Sequence, residues 1–77
     1  CYPSASRRLN EEGRVVATIT IGADGRMKDL KVQQSSGFER LDSAAECVVR
    51  NLRFNPGKRD GTPIEAQATL PISFVLV

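Results

Sequence analysis

The strongest pattern in the chain is a two-residue alternation of apolar and polar positions. From Ile64 to Leu76 every even position is apolar: Ile64, Ala66, Ala68, Leu70, Ile72, Phe74 and Leu76. The odd positions up to Ser73 are Glu65, Gln67, Thr69, Pro71 and Ser73. This period predicts a long, half-buried strand. Pro71 has no N–H to give a ladder, so that strand belongs at a sheet edge. Arg14 to Ile21 alternates as well, with Val15, Ala17, Ile19 and Ile21 on one face and Val16, Thr18 and Thr20 on the other. Both faces are fairly apolar and rich in β-branched residues, which suits a central strand. Gly22-Ala23-Asp24-Gly25 supplies a turn, because Asp-Gly tolerates the positive φ of tight hairpins. Met27 to Gln34 is then the returning strand. Leu30 and Val32 face inward, and Asp29 and Lys31 face water, as on an edge strand.

The period changes after Ser35-Ser36-Gly37-Phe38. Leu41, Ala44, Ala45, Val48 and Leu52 fall on one helical stripe. Ser36 and Glu39 have capping-box spacing. Arg50 and Arg53 sit where the helix dipole favours cations. Asn55-Pro56-Gly57 ends the helix, and Lys58 to Pro63 reads as a polar, solvated loop with a second Asp-Gly turn at Asp60-Gly61. At the other end, Ser4 to Leu9 is a short helical candidate behind Pro3, stopped by Asn10-Glu11-Glu12-Gly13. The order is helix, strand, strand, helix, strand. A right-handed crossover puts the last strand beyond the first. The expected fold is α+β: a three-stranded antiparallel or mixed sheet of order 2-1-3, a short N-terminal helix and one main helix on one face, a ββαβ core.

Size and composition narrow the function classes. Seventy-seven residues make one small domain, and residues 1–77 are read as a single unit. The net charge of +2 is too small for a nucleic-acid face. Histidine is absent, which excludes Ser-His-Asp and Cys-His catalysis and an ordinary zinc site. The two cysteines stand far apart and form no CxxC motif. No apolar run approaches the roughly 18 residues of a membrane span. Asp24, Asp42 and Asp60 have plain jobs at a turn, a helix start and a turn. Neither a metal, a cofactor nor an enzymatic activity is expected. The start on Cys1-Tyr2-Pro3, without methionine, is expected of a piece cut from a longer protein.

Several short motifs, in order, resemble the C-terminal domain of the TonB energy transducers. They are Tyr2-Pro3 with a small, basic stretch behind it, Gly13-Arg14-Val15-Val16 followed by Asp24-Gly25-Arg26, Leu41-Asp42 with Ala44-Ala45, Arg53-Phe54-Asn55-Pro56-Gly57, and Leu70-Pro71-Ile72-Ser73-Phe74. The resemblance implies a periplasmic domain of an inner-membrane-anchored protein, worked by an ExbB–ExbD-type motor through a region absent from this chain. It implies that the domain grips the TonB box of outer-membrane receptors that import siderophores or cobalamin. The grip would be β-augmentation on the last strand, over Glu65, Ala66, Gln67, Ala68, Thr69, Leu70, Pro71, Ile72 and Ser73. Two alternatives share these residues: a TolA-like envelope-integrity domain, and a small disulfide-stapled module that pairs its edge with its own copy as a homodimer.

The remaining features have a plain and a functional reading. Cys1 and Cys47 either stay as thiols or bridge the N-terminal segment to the helix. The bridge is the expectation, since it contributes about 4 kcal/mol to a small core in the chain-entropy model and fits an oxidising compartment. Tyr2 either flanks the peptide groove or packs its ring on the core edge with its hydroxyl in water, which is the expectation. Arg7 and Arg8, with Arg14, form a basic cluster. They are either a solvated face or a flanking contact to an acidic receptor surface or to peptidoglycan.

Overall fold

The computed structural model describes residues 1–76. It contains α1 (Ser4–Arg8), β1 (Gly13–Ile21), β2 (Met27–Gln34), α2 (Glu39–Arg50), β3 (Gly57–Arg59), β4 (Thr62–Ile64) and β5 (Ala66–Phe74). The main sheet has order β2-β1-β5, and both flanking strands run antiparallel to β1. This is the expected order 2-1-3. The inward residues Val15, Ala17, Ile19 and Ile21 of β1 are buried against Leu41, Ala44, Ala45 and Val49 of α2 and Ile72 and Phe74 of β5. Each large aliphatic side chain so buried contributes about 1.5–3 kcal/mol. Gly25, with φ +81, closes the β1–β2 turn, and a Cβ there would run into the Phe54 carbonyl. That close approach lets the Phe54 N–H donate to the Gly25 carbonyl at 2.9 Å, docking the segment after α2 on the turn.

Several expectations are corrected. The long strand over 64–76 is divided. Ala66 stands opposite Ile21 and Phe74 opposite Gly13, so β5 is as long as the β1 strand that backs it. Ile64 belongs instead to β4, which pairs with β3 in a separate two-stranded sheet. The segment read as a polar loop is thus a hairpin. Asp60 and Gly61 at its tip have φ of 52° and 80°, the left-handed pair that a two-residue hairpin turn needs.

The capping box does not form. Phe38 is the N-cap of α2 and has no side-chain cap bond. Asp42 competes for the serines instead. Its carboxylate accepts the Ser35 hydroxyl, the Ser36 hydroxyl at 2.7 Å and the Ser36 N–H at 2.9 Å. Burial pushes this carboxyl up, but the bonds from Ser35 and Ser36 outweigh it and hold its pKa below the ordinary value. Finally, Leu52 is not part of the stripe. The helix ends at Arg50, where the Asn51 side chain donates to the Cys47 carbonyl at 2.9 Å. Leu52 is left exposed, and Val49 fills the core position.

The N-terminal segment is held to this core at several points. Cys1 and Cys47 form a disulfide with Cα atoms 5.9 Å apart. The Tyr2 ring meets Phe74 edge-on, with centroids 5.5 Å apart and planes at 87°. Its ring packs as expected, but its hydroxyl is not left to water: it donates to the Glu11 carbonyl. Glu11 itself is buried, and a buried carboxylate needs partners. The fully buried Ser6 donates to it at 2.7 Å, and Arg40 reaches both its oxygens at 3.1 and 3.3 Å.

Candidate functional site

Strand β5 pairs with β1 on one side only, so its other edge is open. The register of β1 and β5 runs unbroken from Gly13–Phe74 to Ile21–Ala66. Which backbone groups face the open side follows from one residue. Antiparallel pairs alternate between hydrogen-bonded and non-hydrogen-bonded. Pro71 stands opposite Val16 and has no N–H, so Val16–Pro71 is a non-hydrogen-bonded pair. Thr18–Thr69, Thr20–Gln67 and Arg14–Ser73 share that phase. The hydroxyls of Thr18 and Thr69 lie 3.2 Å apart, which fits the closer approach of side chains in such a pair.

The backbone groups of Ala66, Ala68, Leu70, Ile72 and Phe74 therefore turn to β1. The N–H and C=O groups of Gln67, Thr69 and Ser73 turn outward, together with the Pro71 carbonyl. The side chains follow a different division. Ile72 and Phe74 are buried in the core, and Ala66, Ala68 and Leu70 are half-buried, while Gln67, Thr69, Pro71 and Ser73 are exposed on the uncovered sheet face. No side chain of β5 carries a charge. What the edge offers a partner is backbone, in a line.

Of the residues expected in the grip, Ala66, Gln67, Ala68, Thr69, Leu70, Pro71, Ile72 and Ser73 all lie on β5. Glu65 does not. It sits between β4 and β5, and its carboxylate accepts a bond from the Lys28 ammonium at 2.9 Å. That bond, with the attraction of the charges, raises the Lys28 pKa. Tyr2 reaches the far end of the strand through Phe74, and the Arg7 guanidinium lies 5.5 Å over the Tyr2 ring. Burial raises the Tyr2 pKa, as does the charge of Glu12. Arg8 is exposed in the last turn of α1 and makes no ion pair among the described residues. The hairpin of β3 and β4 stands one residue upstream of β5, and its strands are too short to show a period in the sequence. Its only signal there was Asp60-Gly61. No cluster of His, Cys, Asp or Glu among the described residues has the geometry of a metal site.

Fold and edge together define a class: a small α+β interaction domain that presents one straight, uncharged strand edge. The comparisons with known proteins are specific within that class. The family described as the Gram-negative bacterial TonB protein C-terminal matches residues 1–76, and this chain belongs to it. Members of this family are transducer and interaction domains, not enzymes. The chain is 36% identical over 75 residues to protein tonB2 of Pseudomonas aeruginosa, covering 97% of this chain and 28% of that protein. It is 33% identical over 75 residues to protein TonB of Vibrio cholerae, covering 97% of this chain and 31% of that one. The solution structure of the Helicobacter pylori TonB C-terminal domain superposes with a TM-score of 0.70 at 29% identity, over all of this chain and 69% of that one. The chain thus spans about a third of the length of these two curated relatives.

Proposed function

We propose that this domain is the receptor-gripping end of a TonB-type energy transducer in the periplasm. Its β5 edge adds an extended segment, the TonB box, of an outer-membrane transporter as a fourth strand. A region outside this chain anchors the protein in the inner membrane and couples it to an ExbB–ExbD-type motor driven by the proton gradient. The pull then opens transporters of the siderophore or cobalamin kind. The observation that carries this reading is the open edge of β5, which is uncharged and backed by a β1 register that does not slip over nine residues. Backbone pairing tolerates many partner sequences, which suits one domain serving several receptors. A load along the strand must shear its hydrogen bonds together rather than one at a time.

The test is an amide NMR titration with peptides copied from the N-terminal plugs of the same organism's outer-membrane receptors. The largest shifts are expected at Gln67, Thr69 and Ser73. Shifts confined to Arg7 and Arg8 would move the site off the strand. An intact fold with no shifts at millimolar peptide would end this reading. The same edge also suits a second copy of the chain. Sedimentation velocity separates the two uses, because a stable dimer with β5 buried leaves no edge for a receptor.

A further inference from the structure

We propose that the β3–β4 hairpin is a second contact, one that reads acidic residues next to the segment paired with β5. The inference rests on the β5 reading and adds the source of sequence preference that a backbone edge lacks. The hairpin does nothing visible for the core. Lys58, Arg59, Asp60, Gly61, Thr62, Pro63 and Ile64 are all exposed, and only Gly57 at its base is half-buried. Isolated two-stranded hairpins are marginal in water. This one is closed by the left-handed Asp60-Gly61 turn at its tip, and at its base Gly57 runs so close to Ala66 that an added Cβ would stand 3.2 Å from the Ala66 side chain.

The charge on the hairpin is uncommitted. Among the described residues the salt bridges are Lys28–Glu65, Arg40–Glu11 and Arg50–Glu46. Lys58 and Arg59 are in none of them, nor is Arg53 just upstream. Glu65, the acid nearest in sequence to β5, is taken by Lys28. Asp60 in the turn is the remaining acid of the hairpin, so the segment from Arg53 to Ile64 carries three cations against one anion.

Its position matters most. Strand β4 leads into β5 across the single residue Glu65. Lys58 is paired with Pro63 and Arg59 with Thr62, three and four residues before Ala66. At about 3.4 Å per residue of extended chain, the β4 partners of the two cations lie at most roughly 10–14 Å from the start of β5. A bound segment that continues past Ala66 by three or four residues comes alongside them, within a screening length of about 8–10 Å. Ile64, 38% exposed, offers an apolar contact on the way. The partner that fits is an extended polypeptide whose β5-pairing stretch is followed or preceded, on one side only, by acidic side chains.

The experiment uses the double variant Lys58→Glu/Arg59→Glu, whose two positions are exposed and leave the core untouched. Three peptides share one receptor-plug segment: one without charged flanks, one with Asp-Asp before it and one with Asp-Asp after it. One acidic flank, not both, is expected to tighten binding to the unaltered chain about tenfold at low salt. The gain should vanish in the double variant and in about 0.5 M salt, while the uncharged peptide binds both proteins alike. The favoured flank also reports strand direction, since a parallel partner carries its N-terminal end past Ala66. If neither flank adds affinity, or the gain survives the double variant, the hairpin has no such role. Binding to phosphatidylglycerol vesicles that needs Lys58 and Arg59, with no flank effect, would assign the cations to a membrane surface instead. Failure of the uncharged peptide to shift β5 is a separate result and removes the β5 reading itself.

Discussion

Strands β2 and β5 flank the same central strand, and each has one open edge, yet the two edges differ in kind. Against β2 the register slips twice. Between Ile21–Met27 and Thr20–Asp29 it skips Lys28, and between Ala17–Val32 and Val16–Gln34 it skips Gln33. Each slip is a bulge that bends the strand and strengthens its twist. Lys28, Asp29 and Lys31 add charge along the same edge. Bulges and charges are the usual means of keeping an edge strand from pairing. Against β5 the register never slips, and no residue of the strand is charged. The lesson is that an open edge by itself says little about function. A small sheet must leave two edges open, and the irregular one is shielded while the regular one remains able to pair.

The largest effect expected is on how firmly β5 is held. Replacing both cysteines by serine removes a bridge of sequence separation 46, worth about 4 kcal/mol in the chain-entropy model. That is a large share of the roughly 5–15 kcal/mol that holds most domains together. The loss should not be even. The bridged segment leans on β5 through Tyr2 and Phe74, so hydrogen exchange at Ile72 and Phe74 should speed up more than at Asp29 and Lys31, the β2 residues whose partners Thr20 and Thr18 turn toward β2. Equal acceleration at the two strands would show that the bridge acts only through the unfolded chain and has no bearing on the edge.

The next effect separates the two sides of β5 itself. Ala68→Pro removes an N–H that is turned toward β1 and should cost about 3 kcal/mol in a denaturant titration. Thr69→Pro, one residue on, removes an N–H that is turned outward. Its cost to the fold should be about 1 kcal/mol, chiefly the lost contact with Thr18 and some strain, while peptide affinity falls about tenfold or more. The reverse order of stabilities would invert the ladder phase and move the outward donors to the even-numbered residues.

Much of this was legible in the chain because the two periods are strong. The alternation over 14–21 marks β1 as central, and Pro71 by itself places the last strand at an edge. The apolar stripe of the helix from Leu41 to Val48 is an equally local signal. The features without a local signal depend on partners on other elements. Strands β3 and β4 are three residues each, too short to show a period. Glu11 looks like one half of a charged loop, and only its contacts with Ser6 and with Arg40 on another element explain its burial. The limits of β5 are set by where β1 begins and ends, which no pattern within 64–76 contains. Ser36 and Glu39 have the right spacing for a cap, but Asp42 is the better acceptor for the serine. The outward donors required both facts at once, the proline from the sequence and its partner Val16 from the register.

The smallest effect tests the single flaw in the β5 edge. Pro71 interrupts the outward donors between Thr69 and Ser73, so a partner carbonyl opposite it stays unpaired. Pro71→Ala restores that N–H without touching the ladder to β1. The fold should lose no more than about 0.5–1 kcal/mol, from the freer unfolded chain. A paired segment gains one backbone hydrogen bond, about 0.5–1 kcal/mol net, and binds about twofold to fivefold tighter. The unbroken edge also becomes a better template for a second copy of the chain, so self-association in sedimentation velocity should rise with peptide affinity. If both rise, the proline is a brake on self-pairing that the receptor segment tolerates. Unchanged affinity with an intact fold would mean that the bound segment ends before residue 71, and the grip would then shrink to the stretch from Ala66 to Leu70.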